Sequence, residues 1–364
     1  MTKRRFNLEA SLHLYSSGPA VMTPADLYDA ARDANLRDAF VGTNIYLIVS
    51  RPRIVVDARS IQLQGRLLTG HFHVMREEGW ASVPFQYVLE PDVCRGEPLS
   101  DGIAVAPNGT RVCIQYERGH LFIAAHVLVS QGQAELLQTE RDLQVLYVGQ
   151  GVGRHHERLA MDRLLKHSTL QRILADFHTW HPEWEVLLLF YRFEHARMMF
   201  NTGGDLNLPP TASAEEERTH VARVRQATIG RRERISLAEA ALIHYFQPEY
   251  NTVFRRTHFA DAAKKRKFLA SVMRKDLVGL IVELGAWNLG ARLYSPERKA
   301  HAFDEAVLAQ IAAMTDGIAG SDRRDLDQLL MTHVIGIPLT HPHERDSFLH
   351  GMRWKDADVT VPWL

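Results

Sequence analysis

At 364 residues the chain exceeds one average domain, so two or three are expected, and its 46% hydrophobic and 24% charged composition suits a globular protein with real cores. No apolar run approaches the roughly 20 residues of a membrane-spanning helix, which argues against a membrane partner. The 43 basic and 43 acidic residues give a formal net charge of +0, against indiscriminate binding to nucleic acid, while two cysteines (Cys94 and Cys113) and a basic N-terminus without an apolar signal core point to a reducing, cytoplasmic setting.

In chain order, Thr23-Pro24-Ala25-Asp26 predicts a helix start, a polar cap before a proline at the first helical position, with the helix running to about residue 40. From 44 to 129 the pattern turns to short β-branched and aromatic runs at 45–49, 54–56, 71–74, 85–89, 112–116 and 121–125. Gly, Pro and Asn108-Gly109 signals separate them. Residues 1–120 read as a β-rich N-terminal domain without a motif that names a function. A strand at 143–148 enters a loop carrying Gly149, Gly151 and Gly153, and a helical segment at 154–166 follows. Ser168-Thr169-Leu170-Gln171 opens a second helix, and the apolar run 184–191 has strand length. Gly203-Gly204 and Pro209-Pro210 mark 201–214 as a surface loop before a polar helix at 215–234. An apolar helix from Ser236 then stops before Pro248. Beyond it lie a basic helix at 260–274, a strand at 280–284 and helical segments near 303–314 and 325–332. Residues 258–364 thus form a C-terminal α/β region, mostly helical, suited to substrate binding or oligomerisation.

Several side chains carry chemistry. Tyr147 ends a strand before a glycine turn, where packing is its ordinary role. Arg163 and His167 lie four apart, on one helix face, and Arg158 competes for the arginine's role because it is nearer to Tyr147. Ser236-x-x-Glu239 has the spacing of a capping box, which would make Glu239 a helix cap, and Pro248 and Asn251 serve equally as a helix stop and a turn. Basic residues crowd both flanks of the Glu239 segment. Arg231, Arg232, Arg255 and Arg256 are the nearest candidates for phosphate contacts, against the plain alternative of solvated helix faces.

The order of these elements (strand Tyr-x-Gly, helix Arg-x-x-x-His, helix, strand, helix Glu, then Pro-x-x-Asn) resembles the GIY-YIG nuclease family across 121–257, with an insertion near 201–234. The resemblance implies an α+β chain whose central small domain has a three-stranded antiparallel sheet flanked by helices. It implies hydrolysis of phosphodiester bonds in nucleic acid, DNA more than RNA, with one divalent ion, Mg²⁺ or Mn²⁺. By that resemblance Glu239 is the metal ligand, Tyr147 lies beside the attacking water, Arg163 steadies the scissile phosphate, His167 assists and Asn251 braces the site. Arg158, Arg231, Arg232, Arg255 and Arg256 remain substrate-binding candidates. The family's first strand carries a Gly-Ile-Tyr-like triplet. The strand expected to supply it spans 122–128, with His126 in the tyrosine's place, or with Tyr116 reaching in from the strand before.

Those residue types suit the chemistry. A hard ion held by a carboxylate and waters neutralises phosphate charge, an arginine fork matches non-bridging oxygens, and a tyrosine acts as a base only if positive charge lowers its pKa from about 10. A homodimer would suit cutting both strands of a duplex. The alternatives are a catalytically degenerate scaffold that binds nucleic acid, and an unrelated hydrolase whose metal is held by His71-x-His73, two imidazoles on one strand face.

Overall fold

The central strand of this protein is an almost wholly apolar run, Ile-Tyr-Leu-Ile-Val, buried on both faces as such runs demand. The computed structural model describes residues 4–93, 96, 98–151, 160–193, 195–202, 207–255, 259, 269–270, 272, 274–300 and 331–341. Within them the chain is mixed α/β, with strands predominating.

The first elements are β1 (Leu8–Tyr15), β2 (Ala20–Met22), α1 (Pro24–Ala30), α2 (Ala34–Ala39) and β3 (Ile45–Pro52). The start of α1 is as expected: Thr23 Oγ1 accepts from Asp26 N–H at 3.1 Å and Asp26 returns the bond to Thr23 N–H at 3.1 Å. Next come β4 (Ile54–Val56), β5 (Gln62–Gln64), β6 (Leu67–Arg76), β7 (Gly79–Val88), β8 (Pro98–Val105), β9 (Arg111–Tyr116), β10 (Gly119–Ala124), α3 (Ala125–Gln131), β11 (Gln133–Ala134) and α4 (Gln138–Arg141). The remainder comprises β12 (Leu143–Gln150), α5 (Ala160–Leu164), α6 (Ser168–Trp180), β13 (Trp184–Tyr191), β14 (His195–Thr202), α7 (Ala214–Gln226), α8 (Arg231–Phe246), β15 (Gly279–Gly285), β16 (Leu293–Tyr294) and β17 (Thr332–Pro338).

One five-stranded sheet has the order β16-β12-β3-β13-β2. Its inner strands β12, β3 and β13 are mutually antiparallel, and β16 adds in parallel along the first two residues of β12. Alternation along β3 feeds two cores. Ile45, Leu47 and Val49 join Leu143, Val145 and Val148 against α8; Tyr46 and Ile48 join Leu146, Met161, Leu164 and Ile173 on the other face. A second sheet, β14-β1-β15-β17, closes the first core from the far side, so α8 lies between two sheets and is apolar around most of its circumference.

This strand order cuts across the boundaries expected at 120 and 257. Strand β3 lies between β12 and β13, and β1 lies between β14 and β15. A buried strand must pair the N–H and C=O groups of both its edges, and the partners of β3 are far away in sequence. What is self-contained is the stretch between β3 and β12. Its sheets β11-β7-β6-β4 (with β5) and β10-β9-β8 enclose a core of their own around Phe72, Phe85, Ile114 and Leu128. The large insertion is therefore 53–142. The stretch expected to be inserted, 201–234, instead holds α7 and the end of β14, which is paired to β1. Arg111 to Asp26 is an ion pair between this insert and the rest of the chain.

The capping box expected at Ser236 is absent. Helix α8 begins at Arg231, where Gly230 N–H donates to Glu233 Oε2 at 2.9 Å, so Ser236 and Glu239 are interior residues. Ser236 Oγ donates to Gln150 Oε1 at 3.3 Å instead. Arg158, Arg256, the segment 303–314 and most of 260–274 and 325–332 lie outside the described residues.

Asn44, fully buried at the entrance to β3, accepts from Phe193 N–H at 3.0 Å and donates to the Gly42 carbonyl at 3.1 Å. Asn44→Ala leaves Phe193 N–H unpaired and is expected to cost about 1–3 kcal/mol, read as a lower urea midpoint with an unchanged slope.

Candidate active site

At the end of β12 the register with β3 shifts between Val145 and Tyr147, so Leu146 is an extra residue on that strand. The bulge turns Tyr147 onto the face that carries Tyr46. The residue opposite Tyr46 is Gly149. A Cβ there would lie 2.5 Å from Tyr46 Oη and 2.8 Å from Tyr147 Cε1, so only glycine lets the two rings share this space. The rings stack at 6.1 Å between centroids, and the His167 ring packs on both, 5.1 Å from Tyr147 and 6.0 Å from Tyr46.

The expected first-strand residues are corrected here. His126 is on helix α3 and Tyr116 is in the insert's core; neither belongs to the strand beside β12. Tyr46, within Asn44-Ile45-Tyr46, holds that place. Its signal was in the sequence, an aromatic second in a buried strand, but the insert puts it far upstream of Tyr147.

Arg163 and His167 do come together, although not as an i, i+4 pair on one helix. Helix α5 stops at Leu164, and His167 N–H donates to the Leu164 carbonyl at 3.0 Å in a turn that leaves His167 in extended backbone at the start of α6. A cleft of about 560 Å³ is bounded by Tyr147 of β12, Arg163 of α5, Arg172 of α6, Glu239 of α8, and Tyr250 and Asn251 of the following loop. Arg172 and Tyr250 were not singled out from sequence, since each is an ordinary surface residue type.

Asn251 is a brace. Its Oδ1 accepts from Val148 N–H and its Nδ2 donates to the Val148 carbonyl, both at 2.9 Å. Past Gln144 strand β12 has no further pairing with β16, and the side-chain amide stands in for a strand partner. Tyr250 N–H adds a bond to the Leu146 carbonyl at 3.2 Å.

Electrostatics tie the cluster together. Burial pushes the Tyr46 hydroxyl far above its ordinary range; Tyr147 and Glu239 push it the same way and Arg163 opposes them. Burial and then Glu239 raise Tyr147, again opposed by Arg163. Burial and Arg163 lower His167, which keeps its imidazole neutral near pH 7. Tyr147 Oη lies 3.5 Å from His167 Nε2. The Tyr46 hydroxyl is buried and interacts with the Tyr147 phenol without reaching hydrogen-bonding geometry with it or with any described residue. A buried hydroxyl left this way is costly and calls for a reason.

The basic candidates are spread out. Arg231 and Arg232 lie at the start of α8, about two turns before Glu239, and Arg255 donates to the Glu249 carbonyl at 3.2 Å; none of the three lines the cleft. His71 and His73 do share an outward face of β6, but His73 sits 3.7 Å from Asp57, and the described residues hold no cluster of three His, Cys, Asp or Glu side chains. No described helix is long and apolar enough to cross a membrane. Comparison with protein-family models, curated proteins and solved structures finds no match.

If the Tyr46 hydroxyl serves the site rather than the fold, Tyr46→Phe should leave stability unchanged or raise it by about 1 kcal/mol, read in urea unfolding. A loss of several kcal/mol would mean that the hydroxyl has a structural partner.

Proposed function

We propose that the chain is a divalent-metal-dependent nuclease of the GIY-YIG type, acting as an endonuclease on nucleic acid, with DNA favoured. The observation that carries this reading is the convergence of Tyr46 and Tyr147, from adjacent antiparallel strands, with Arg163 and Glu239 acting on both phenols. Tyr46 on β3 gives the site a second phenol beside Tyr147, which favours this reading over a catalytically degenerate scaffold.

The residues fit a hard cation. Glu239 offers a half-buried carboxylate on the cleft wall, and such ions keep several waters when one carboxylate holds them. When bound at Glu239, Mg²⁺ or Mn²⁺ would polarise the scissile phosphate and offset charge on the leaving oxygen. The chain's own groups do the rest. Arg163, exposed at the rim, matches non-bridging phosphate oxygens through its planar fork. Tyr147 is protonated, so its phenol orients the attacking water and passes a proton on only as it gives up its own. Neutral His167 Nε2, directly or through one water, is the acceptor. Tyr46, buried behind Tyr147, stays a phenol and a donor. Asn251 holds the β12 backbone that aims Tyr147.

Supercoiled plasmid and labelled oligonucleotides with Mg²⁺ or Mn²⁺ test the reading. Glu239→Ala and Glu239→Gln should abolish cutting while remaining folded, and Arg163→Ala should lower kcat by about 10²–10³. Equal cutting by wild type and folded Glu239 variants would sink the proposal. Because His167 must be neutral to accept a proton, kcat/KM should fall on the acid side with a midpoint below 6.5, the ordinary histidine value. His167→Gln should remove that limb, and a midpoint above 6.5 would count against the role.

A further inference from the structure

The geometry points to a second phosphate subsite in the same cleft, built from Arg172, Tyr250 and Asp176, which takes the phosphodiester adjacent to the scissile one on the same strand. The inference rests on the nuclease reading of the cleft.

Two arginines line the cleft and serve different parts of it. Arg163 acts on Tyr46, Tyr147 and His167, the groups around the reacting phosphate. Arg172 lies instead over the ring of Tyr250. Both arginines line the same cleft, each beside different groups, and consecutive phosphates of one strand are the ligand that would use the two together.

Arg172 is held in a closed triangle. Its guanidinium carbon lies 5.8 Å over the Tyr250 ring, and its Nε lies 3.6 Å from Asp176 Oδ2 one helical turn on. The same Asp176 oxygen accepts from Tyr250 Oη at 2.9 Å, and Tyr250 is tied to Leu146 of β12 by its backbone. One carboxylate is therefore shared between a phenol and a guanidinium. Burial, then the bond to Asp176, keeps the Tyr250 phenol protonated as the donor in that contact. The Arg172 side chain is 75% exposed, so its remaining N–H groups are open to an anion.

Stability does not account for the triangle, since exposed ion pairs contribute little. Its effect is to restrict a long side chain on the lip of the cleft before substrate arrives, which reduces the ordering cost of binding. A formal net charge of +0 gives the same emphasis to discrete contacts over a diffuse positive field. The ligand class is a polynucleotide strand with consecutive phosphates.

The experiment compares a 12-mer DNA oligonucleotide with bis(p-nitrophenyl) phosphate, a diester with one phosphate, as substrates of wild type, Arg172→Ala, Arg172→Lys and Tyr250→Phe. Oligonucleotide affinity is measured beside it in Ca²⁺ over a range of salt. The ratio of kcat/KM for the oligonucleotide to that for the small diester should fall about tenfold in Arg172→Ala, mainly through KM, and less in the two conservative variants. The slope of log affinity against log salt should become shallower by about one phosphate contact. An unchanged ratio, or both substrates falling together, overturns the subsite while leaving the nuclease reading in place. If wild type cleaves neither substrate but binds the oligonucleotide with that Arg172-dependent salt slope, Arg172 is a phosphate contact, while the hydrolytic reading and the subsite's place beside a scissile phosphate both fall. If wild type neither cleaves nor binds, both fall.

Discussion

The site depends on the antiparallel pairing of β3 with β12. That register places Tyr46 opposite Gly149, and the single extra residue at Leu146 brings Tyr147 to the same face. A one-residue slip without the bulge would send one tyrosine into the α8 core and the other away from it, because strand side chains alternate. The missing Cβ of Gly149 then lets both rings and His167 pack as one cluster. Backbone pairing thus positions the phenols, and their high pKa values follow from the burial it imposes.

The opposite wall is built by backbone that departs from ordinary geometry. Gln247, at the end of α8, and Phe254 have φ values of 47° and 67°, and they bracket the loop that carries Tyr250 and Asn251. Such conformations cost of order 1–3 kcal/mol each in non-glycine residues and persist where the surroundings fix them. Here Asn251 is fixed by two bonds to Val148, and the Phe254 carbonyl lies 3.2 Å from His244 Nδ1. Helix α8, held between two sheets, supplies a rigid base from which Glu239 reaches the cleft. One wall comes from strand register, the other from a helix stop, and the carboxylate and the phenols meet between them.

The insert between β3 and β12 interrupts the chain without disturbing the pairing of the two strands that carry Tyr46 and Tyr147. Both ends of 53–142 emerge at the same end of adjacent antiparallel strands, so the interruption replaces a hairpin turn. With a core of its own, the insert makes few demands on the sheet beyond that junction and contacts such as the Arg111–Asp26 pair.

The sequence by itself determined the local features. It carried the α1 cap at Thr23, the strand character of 45–49 and 184–191 and the stop at Pro248, because caps, alternation and helix stops are written in neighbouring residues, and it gave Tyr147, Glu239 and Asn251 in the order on which the resemblance rests. Tertiary structure alone decided that Tyr46 joins them, that Arg163 and His167 meet across a turn rather than along one helix face, that Ser236 is interior to α8, and that Arg172 leans on Tyr250 at the cleft's edge. Each of these depends on long-range pairing or on burial from several elements at once. Such partners are chosen by which surfaces exclude water together, and sequence distance says nothing about that.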